Sequence, residues 1–446
     1  MEENNKKIFF LNHGLQDAFL RMDALRVFYQ DSIERIQCRR IHIENKYKYA
    51  LMLSEKLDEL FNSDEPLSET DFNESLKDIS VSDNHNLSEY VLVHIKAADE
   101  ENSIRIRYEL KGEKEFSKYY DPRKAQHEQR KCLMNEQILI TSVLSNSITI
   151  FENYLSGLYR FVIMSNPKKY FGGRSIEFAD LISDGLQKTI TSITEKEIED
   201  KIYDSLATID LIAKKEKLPI EKYKSWMMEF KEIYFRRNIY IHNNGEANEK
   251  YLNNVDEIYR KNTNMGEQLI CDELYINRLF DVVSIIIISL YFEVINTLSN
   301  NKSAFSWLGN QAFELLCNEN YQVSGHIYSL LSKTESLNFH DKLTYRINYI
   351  NSEKQLGHTE NVVKELLGLD VSATTVDFKI AKLCLEDKND MVYELLKETY
   401  PSSYDAEEIR EWPIFIGFRD TKYYDRFTKE HADDFNLHIY AEEEKC

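Results

Sequence analysis

Glycine and proline are scarce in this chain of 446 residues, which contains 13 glycines and 6 prolines. So few helix-breaking residues over such a length predict long helices joined by short turns. Tyrosine and phenylalanine are abundant, at 28 and 23 residues, and 42% of the chain is hydrophobic. That is enough apolar material for two or three buried cores, at about 100–200 residues per domain.

Positive charge is also in short supply, because the formal net charge is −20 at pH 7. A protein that holds nucleic acid over a broad surface is normally basic. The charge balance therefore excludes such a surface and restricts any contact with RNA to a local patch. We expect no DNA partner.

The sequence lacks the usual signals of metal sites and of membrane-spanning helices. The six cysteines show neither a Cys-x-x-Cys pair nor the Cys/His spacing of a zinc site, which predicts reduced thiols in the cytoplasm, no metal and no other cofactor. They are Cys38, Cys132, Cys271, Cys317, Cys384 and Cys446. The first residues, MEENNKKIFF, contain no signal-peptide core. The most apolar run, DVVSIIIISLYFEVI, is interrupted by Ser284, Ser289 and Glu293. It falls short of the roughly 18 apolar residues of a membrane span, so we predict a buried core helix and no membrane partner.

Changes in the hydrophobic pattern along the sequence predict three segments. Residues 1–130 form an N-terminal helical region with a β-hairpin, residues 131–300 a helical bundle, and residues 301–446 an array of helical repeats. The hairpin follows from YVLVHIKA and SIRIRYELK, in which apolar and polar residues alternate. Its polar face is either solvated or in contact with RNA. That face carries His94, Lys96, Arg105 and Arg107.

Three stretches after residue 300 resemble one another. Phe313, Tyr345 and Phe378 open them, at intervals of 32 and 33 residues, and each stretch carries a Leu-Leu pair in its second helix. The pairs are Leu330-Leu331, Leu366-Leu367 and Leu395-Leu396. A period in the low thirties is typical of helix–turn–helix repeats of the tetratricopeptide type. Stacked units of this kind form a concave face that binds a protein or peptide.

A helix near the middle of the chain ends with RRNIYIHNNG, residues 236–245. Asn238 and His242 are four residues apart and share a helical face, and the long side chain of Arg237 can swing to the same side. The Asn-Asn-Gly sequence then ends the helix, because these residues tolerate the left-handed cap conformation.

Histidine exchanges protons near neutral pH, and a guanidinium can hold a phosphate and stabilise charge that develops on it. With an amide to orient them, these groups suffice for metal-free RNA cleavage. In that reaction the 2′-hydroxyl attacks its own phosphate and leaves a 2′,3′-cyclic phosphate and a 5′-hydroxyl. The alternative is structural, with His242 at a helix C-terminus where it interacts favourably with the helix dipole.

The run RRNIYIHNNG…YL resembles the signature of HEPN domains, all-helical ribonuclease and nucleotide-binding modules of prokaryotic toxin–antitoxin, abortive-infection and CRISPR-associated systems. Arg237, Asn238 and His242 match the family motif of an arginine, a polar residue and a histidine, and Tyr251 matches a frequent continuation. The resemblance covers roughly residues 130–300, about a third of the chain.

Glu152, in the sequence FENYLSGLYRF, fits the acidic residue that the first helix of the family often carries. It either supports catalysis or is a buried carboxylate paired with Arg237. The resemblance implies a helical bundle that forms a homodimer, in which two motifs face one another in a composite site. It also implies an RNA substrate and a role in antiphage defence or toxin–antitoxin action. The separate resemblance of residues 301–446 to helical repeats predicts a protein regulator or antitoxin bound there.

Four basic residues are candidates for holding RNA phosphates: Arg236, Lys168, Lys169 and Arg174. The predicted fold class is mainly all-α, with a HEPN-like helical bundle, helical repeats and a small N-terminal hairpin. The predicted function is a metal-independent endoribonuclease whose catalytic residues are Arg237, His242, Asn238 and Glu152. The alternative is a non-catalytic module that dimerises or binds nucleotide, while the repeats bind a protein partner.

Overall fold

Helices dominate the structure, a computed structural model that describes residues 2–62, 68–82, 85–89, 91–97, 104–111, 121–173 and 178–435. Within these ranges the strands are confined to residues 80–110. The prediction of a mainly all-α protein is therefore confirmed, and so is the N-terminal hairpin.

The elements of the N-terminal third come first along the chain. Its helices are α1 (Glu2–Lys46), α2 (Lys48–Asn62), α3 (Glu69–Ser75) and the long α4 (Pro122–Ser165). Its strands are β1 (Ser80–Ser82), β2 (His85–Asn86), β3 (Val91–Ala97) and β4 (Ile104–Leu110). Strands β1 and β2 pair with each other, and β3 pairs with β4, both in antiparallel fashion.

Contacts between Cα atoms divide the chain into two compact units. The smaller unit comprises residues 23–146, and the larger one comprises residues 1–22 and 147–446. The segment 301–446, which we predicted as separate, thus falls in the same unit as residues 147–300.

The hairpin of β3 and β4 belongs to the smaller unit. Val91 and Val93 are buried against helices α2 and α3, while alternate residues face outward because side chains alternate along a strand. Among the latter, the His94 ring nitrogens lie 3.2 Å from a carboxylate oxygen of Glu69 and 3.5 Å from one of Glu109. Carboxylates therefore share this face with His94, which favours the solvated alternative over contact with RNA.

The larger unit continues from α4 through a bundle of helices. They are α5 (Pro167–Phe171), α6 (Phe178–Ile202), α7 (Ser205–Glu216), α8 (Lys224–His242), α9 (Glu249–Asn254), α10 (Glu257–Arg260) and α11 (Glu273–Leu298). Helix α6 is broken at Gly185, whose φ of 74° lies in the left-handed region. Pro219 precedes a short 3-10 turn, Ile220–Tyr223, that leads into α8.

Helix α11 forms the centre of this bundle. Every residue from Val282 to Ile295 is buried, as expected for a helix that is apolar all round. Among the described residues, α11 is the one helix long and apolar enough to cross a membrane, but 89% of its most apolar 18-residue window is buried inside the protein. The prediction of a buried core helix is confirmed.

Short helices make up the C-terminal part of the larger unit. They are α12 (Lys302–Cys317), α13 (Tyr321–Leu331), α14 (Phe339–Gln355), α15 (Thr359–Leu367), α16 (Val376–Leu385), α17 (Asn389–Thr399), α18 (Ala406–Glu411), α19 (Ile416–Arg419) and α20 (Lys422–Glu430). The three Leu-Leu pairs lie in α13, α15 and α17, as predicted for the second helix of each stretch, but they are not equivalently packed. Leu331 and Leu396 are fully buried, whereas Leu367 is 85% exposed.

The aromatic residues that open the three similar stretches converge in space. Phe313, Tyr345 and Phe378 line one cavity of about 270 Å³ together with Trp412. Gly309 makes room for this arrangement, because a Cβ atom there would lie 2.6 Å from the Tyr345 ring. The sequence repeat therefore corresponds to one aromatic cavity.

Candidate functional site

Helix α8 carries the predicted motif and ends as the sequence predicts. The backbone N–H groups of Asn243 and Gly245 both donate to the carbonyl of Ile239, at 2.8 and 3.3 Å. Asn244 and Gly245 follow with φ angles of 51° and 86°, in the left-handed region. A Cβ atom on Gly245 would lie 2.2 Å from the Gln268 side chain. The backbone angle therefore favours glycine at this position, and a Cβ atom there would displace the end of the Gln268 side chain.

A cleft of about 700 Å³ opens beside the C-terminal half of α8. The structure brings all four predicted catalytic residues to its wall: Glu152, Arg237, Asn238 and His242. Glu152 comes from α4 and the other three from α8, so the site joins elements that are far apart in the sequence. The remaining wall consists of Asn153, Ser156, Ile202, Tyr203, Tyr234, Phe235, Ile239, Asn248, Lys250 and Tyr251.

Arg237 and Glu152 form an ion pair across this cleft. Nη2 of Arg237 donates to Oε1 of Glu152 at 2.9 Å, and the two side chains are 19% and 26% exposed. The guanidinium also lies over the Tyr234 ring, 5.3 Å from its centroid. Its Nε–H is buried and has no hydrogen-bond partner among the described residues. One donor of Arg237 is thus engaged by Glu152, as the pairing alternative predicted.

Burial raises the pKa of the Glu152 carboxyl above its usual range, while the Arg237 charge, the hydrogen bond from Arg237 and one from Ser205 limit the rise. Burial likewise raises the pKa of the Tyr234 phenol. A carboxyl with a raised pKa beside a guanidinium is typical of functional sites, although structural ion pairs show it too.

His242 lies in the last turn of α8 and is exposed. In the described part of the chain no hydrogen bond or ion pair involves its ring, so the ring is open to a ligand in the cleft. Asn238 precedes it by one helical turn and is partly buried. The pair therefore presents an amide and an imidazole on the same wall, as the four-residue spacing predicts.

Arg236, predicted as an RNA-binding residue, is buried and does not line the cleft. Its Nε donates to Glu232 at 2.6 Å, one Nη donates to the carbonyl of Ile270 at 2.6 Å, and the guanidinium stacks over Tyr275 at 4.3 Å. A contact with phosphate would require these interactions to break. The structure thus corrects this prediction and gives Arg236 a structural role, because burying a charge is tolerated only with such partners.

The Arg236 network also positions one wall of the cleft. Tyr251, on α9, is fully buried, and its hydroxyl donates to Oε1 of Glu232 at 2.7 Å. Its backbone N–H donates to the side chain of Asn248, which caps α9. Helix α9 is thereby fixed against α8, and Lys250 comes to the cleft beside Tyr251.

Sequence reasoning missed Lys250 and the cleft-lining tyrosines Tyr203 and Tyr234. Lys250 lies eight positions after His242. Its sequence position does not show that it belongs to the site, because only the packing of α9 against α8 brings it to the cleft. The one available signal was Tyr251, which matched the continuation of the motif and stands next to it.

Two of the other predicted RNA-binding residues, Lys168 and Lys169, lie outside the cleft. Lys168 and Lys169 lie on α5, are exposed and do not line it. Nζ of Lys169 forms an ion pair with the buried carboxylate of Glu216 at 2.6 Å. The structure therefore does not bring these lysines to the predicted catalytic residues. Arg174 lies outside the described residues.

Comparison of the chain with known protein families, with characterised proteins and with solved structures found no match. Within the described ranges, no group of three or more His, Cys, Asp or Glu side chains is placed to hold a metal ion. The cleft combines one ion pair, one histidine without a partner in the described residues, a lysine, an exposed tyrosine and partly buried amides.

Proposed function

We propose that the protein is a metal-independent endoribonuclease of the HEPN type. The observation that carries this proposal is the convergence of Glu152, Arg237, Asn238 and His242 on one cleft of about 700 Å³. These residues were selected from the sequence, and they come from two helices. The local excess of positive charge, Arg237 and Lys250 against Glu152, also suits a phosphate in an otherwise acidic protein.

The cleft contains every group that the first step of the proposed reaction requires. His242 accepts the proton of the 2′-hydroxyl as the 2′-oxygen attacks the adjacent phosphorus. Arg237 stabilises the negative charge that develops on the phosphorane, and Asn238 orients the phosphate. The bond from phosphorus to the 5′-oxygen then breaks, and that oxygen takes a proton from water or from the His242 of a second copy. The products are a 2′,3′-cyclic phosphate and a 5′-hydroxyl.

A homodimer through the region 131–300 is part of the proposal, because family sites of this kind are composite. Sedimentation equilibrium at micromolar concentration tests it, and a species of 52.8 kDa alone would contradict it. Mixing the Arg237→Ala and His242→Ala proteins tests whether one site draws on two chains. Partial recovery of cleavage supports a composite site, and no recovery supports a complete cleft in each chain.

We further propose that the short helices after residue 300 form tetratricopeptide-like repeats that bind a protein regulator or antitoxin. The aromatic cavity of Phe313, Tyr345, Phe378 and Trp412 supports this proposal, since concave apolar cavities are usual anchor sites. Antiphage defence or toxin–antitoxin action is the biological setting that the HEPN resemblance implies, and a cytoplasmic location goes with it.

The alternative is a non-catalytic module that dimerises or binds nucleotide. One observation favours it: Arg237 is already paired with Glu152 at 2.9 Å, which offsets part of its charge. Incubation with total cellular RNA in EDTA separates the two functions. If the protein is a ribonuclease, the wild type produces cyclic-phosphate ends and His242→Ala does not. If it is a non-catalytic module, both proteins leave the RNA intact. His13→Ala serves as the matched control, because His13 is an exposed helical histidine outside the cleft.

A further inference from the structure

The cleft contains a cation and an open aromatic ring that take no step in the proposed chemistry. Lys250 and Tyr203 both line it, but neither belongs to the Arg–Asn–His motif. They come from different elements, since Lys250 lies on α9 and Tyr203 in the turn between α6 and α7. Their convergence on the same cleft adds a cation and an aromatic ring to the catalytic groups.

Lys250 is an exposed cation on a fixed support. No hydrogen bond or ion pair of its Nζ is found in the part of the chain that the structure describes. The position of its backbone is nevertheless fixed, because the neighbouring Tyr251 is fully buried and donates to Glu232. A charge that has no protein partner and faces a cleft is placed for an anionic ligand.

Tyr203 is an exposed aromatic ring on an anchored turn. Its side chain is 86% exposed, although its backbone carbonyl accepts a hydrogen bond from the Tyr234 hydroxyl at 3.4 Å. The Tyr234 ring itself is already covered by the Arg237 guanidinium. Tyr203 is therefore the cleft-lining tyrosine whose faces are open, and an open tyrosine ring in a cleft that also holds a cation suits a nucleobase.

We propose that Lys250 and Tyr203 form a second nucleotide subsite, beside the one that holds the scissile phosphate. Lys250 binds the phosphate of the neighbouring nucleotide, and the base of that nucleotide stacks on Tyr203. This inference rests on the proposed function, and it narrows the substrate to RNA with an unpaired nucleotide next to the cleavage point. A base inside a duplex is already stacked on both faces and is not available to Tyr203.

Binding of an uncleavable RNA tests the subsite without the reaction. The probe is a single-stranded 2′-O-methyl RNA, which lacks the attacking hydroxyl, and its Kd is measured by fluorescence anisotropy over a range of salt concentrations. For Lys250→Ala the slope of log K against log salt falls in magnitude by about 0.7, the value for one phosphate contact to a single strand. The control Lys364→Ala, at an exposed helical lysine outside the cleft, keeps the wild-type slope.

The same probe, single-stranded or annealed to its complement, tests the stacking contact. Tyr203→Ala weakens binding of the single strand by about 5- to 150-fold, the range for loss of one stacked base. Tyr203→Phe retains the ring and binds like the wild type. On the duplex, Tyr203→Ala and the wild type bind equally. Phe339→Ala, which removes a 70% exposed aromatic side chain elsewhere, changes neither probe.

An unchanged salt slope in Lys250→Ala, or an equal loss by Tyr203→Ala on single strand and duplex, would overturn the subsite. Its failure is distinguishable from failure of the nuclease proposal. Cleavage that depends on His242, together with unchanged binding by both variants, rejects the subsite alone. Binding that depends on both residues in a protein that never cleaves RNA supports the subsite and rejects the nuclease. A wild type that does not bind the single-stranded probe rejects the subsite, and the cleavage assay alone decides the nuclease proposal.

Discussion

Arg237 donates from Nη2 to Oε1 of Glu152 at 2.9 Å and so ties α8 to α4 across 85 residues of sequence. In the proposed reaction the phosphate binds the Arg237 guanidinium, which this contact already pairs with a carboxylate. Under that proposal Glu152 competes with RNA for the guanidinium, while it also holds Arg237 in position before RNA arrives.

Replacement of Glu152 by glutamine tests this competition. The amide oxygen can still accept from Arg237, but its negative charge is gone, so we expect tighter binding of RNA by up to about tenfold. Titration of an uncleavable RNA at constant salt measures the effect. Weaker binding by Glu152→Gln than by the wild type would contradict the competition and would mean that the charge of Glu152 itself organises the site.

Loss of the His242 imidazole should affect the reaction and leave the fold intact. We expect His242→Ala to reduce cleavage by about 10²–10⁴-fold, the usual contribution of a general acid or base. Because the side chain is exposed, the free energy of unfolding should change by less than about 0.5 kcal/mol. Cleavage assays in EDTA and urea unfolding measure the two quantities. Wild-type cleavage by folded His242→Ala, or a strict need for magnesium in the wild type, would contradict the proposed mechanism.

Arg236 and Arg237 are adjacent, yet their substitution should have opposite consequences. Arg236→Ala leaves Glu232 buried without its cation, so we expect a loss of about 3–5 kcal/mol in the free energy of unfolding. Arg237→Ala should lower cleavage by at least about 10²-fold with a much smaller loss of stability. Urea unfolding and cleavage are measured for both proteins. Equal losses in the free energy of unfolding would show that Arg236 and Arg237 contribute equally to stability and would contradict the structural role given to Arg236 alone.

His326 should make stability depend on pH. Burial, together with the charges of Lys222 and Lys333, lowers its pKa to about 4, and its Nε2 lies 2.9 Å from Oγ of Ser289. Below about pH 6.5 the unfolded chain binds a proton at this histidine while the folded chain does not, so stability falls as pH decreases toward 4. From pH 7 to pH 5 the expected loss from this group is up to about 2 kcal/mol.

Comparison with His326→Gln isolates this contribution, because glutamine does not titrate and can still form a hydrogen bond with Ser289. Urea unfolding of both proteins at pH 7 and pH 5 supplies the numbers. The variant should lose less stability than the wild type over that interval. Equal losses would place the acid sensitivity in other groups.

Replacement of Gly245 by alanine should destabilise the protein. Alanine there would adopt an unfavourable φ of 86° and meet the Gln268 side chain, so we expect a loss of about 1–3 kcal/mol in the free energy of unfolding. The double variant Gly245→Ala/Gln268→Ala removes the collision but not the backbone strain and should recover part of the loss. Full recovery would show that the backbone angle imposes no strain.

The sequence determined the features that depend on local order. Scarcity of glycine and proline predicted the helices, strict alternation predicted the hairpin, and Asn-Asn-Gly predicted where α8 ends, because each pattern acts through the backbone of a few residues. The four-residue spacing of Asn238 and His242 placed them on one face for the same reason. These features require no knowledge of the neighbouring helices.

Tertiary structure alone decided which face of α8 is buried. Arg236 and Arg237 are separated by about 100° around the helix, and only the packing of α8 against α9 and α11 buries the first and leaves the second at the cleft. The same packing paired Glu152 with Arg237 and brought Lys250 to the site. Contacts between residues far apart in the sequence fix these positions. The spacing of residues within α8 therefore could not predict which of the two arginines is buried.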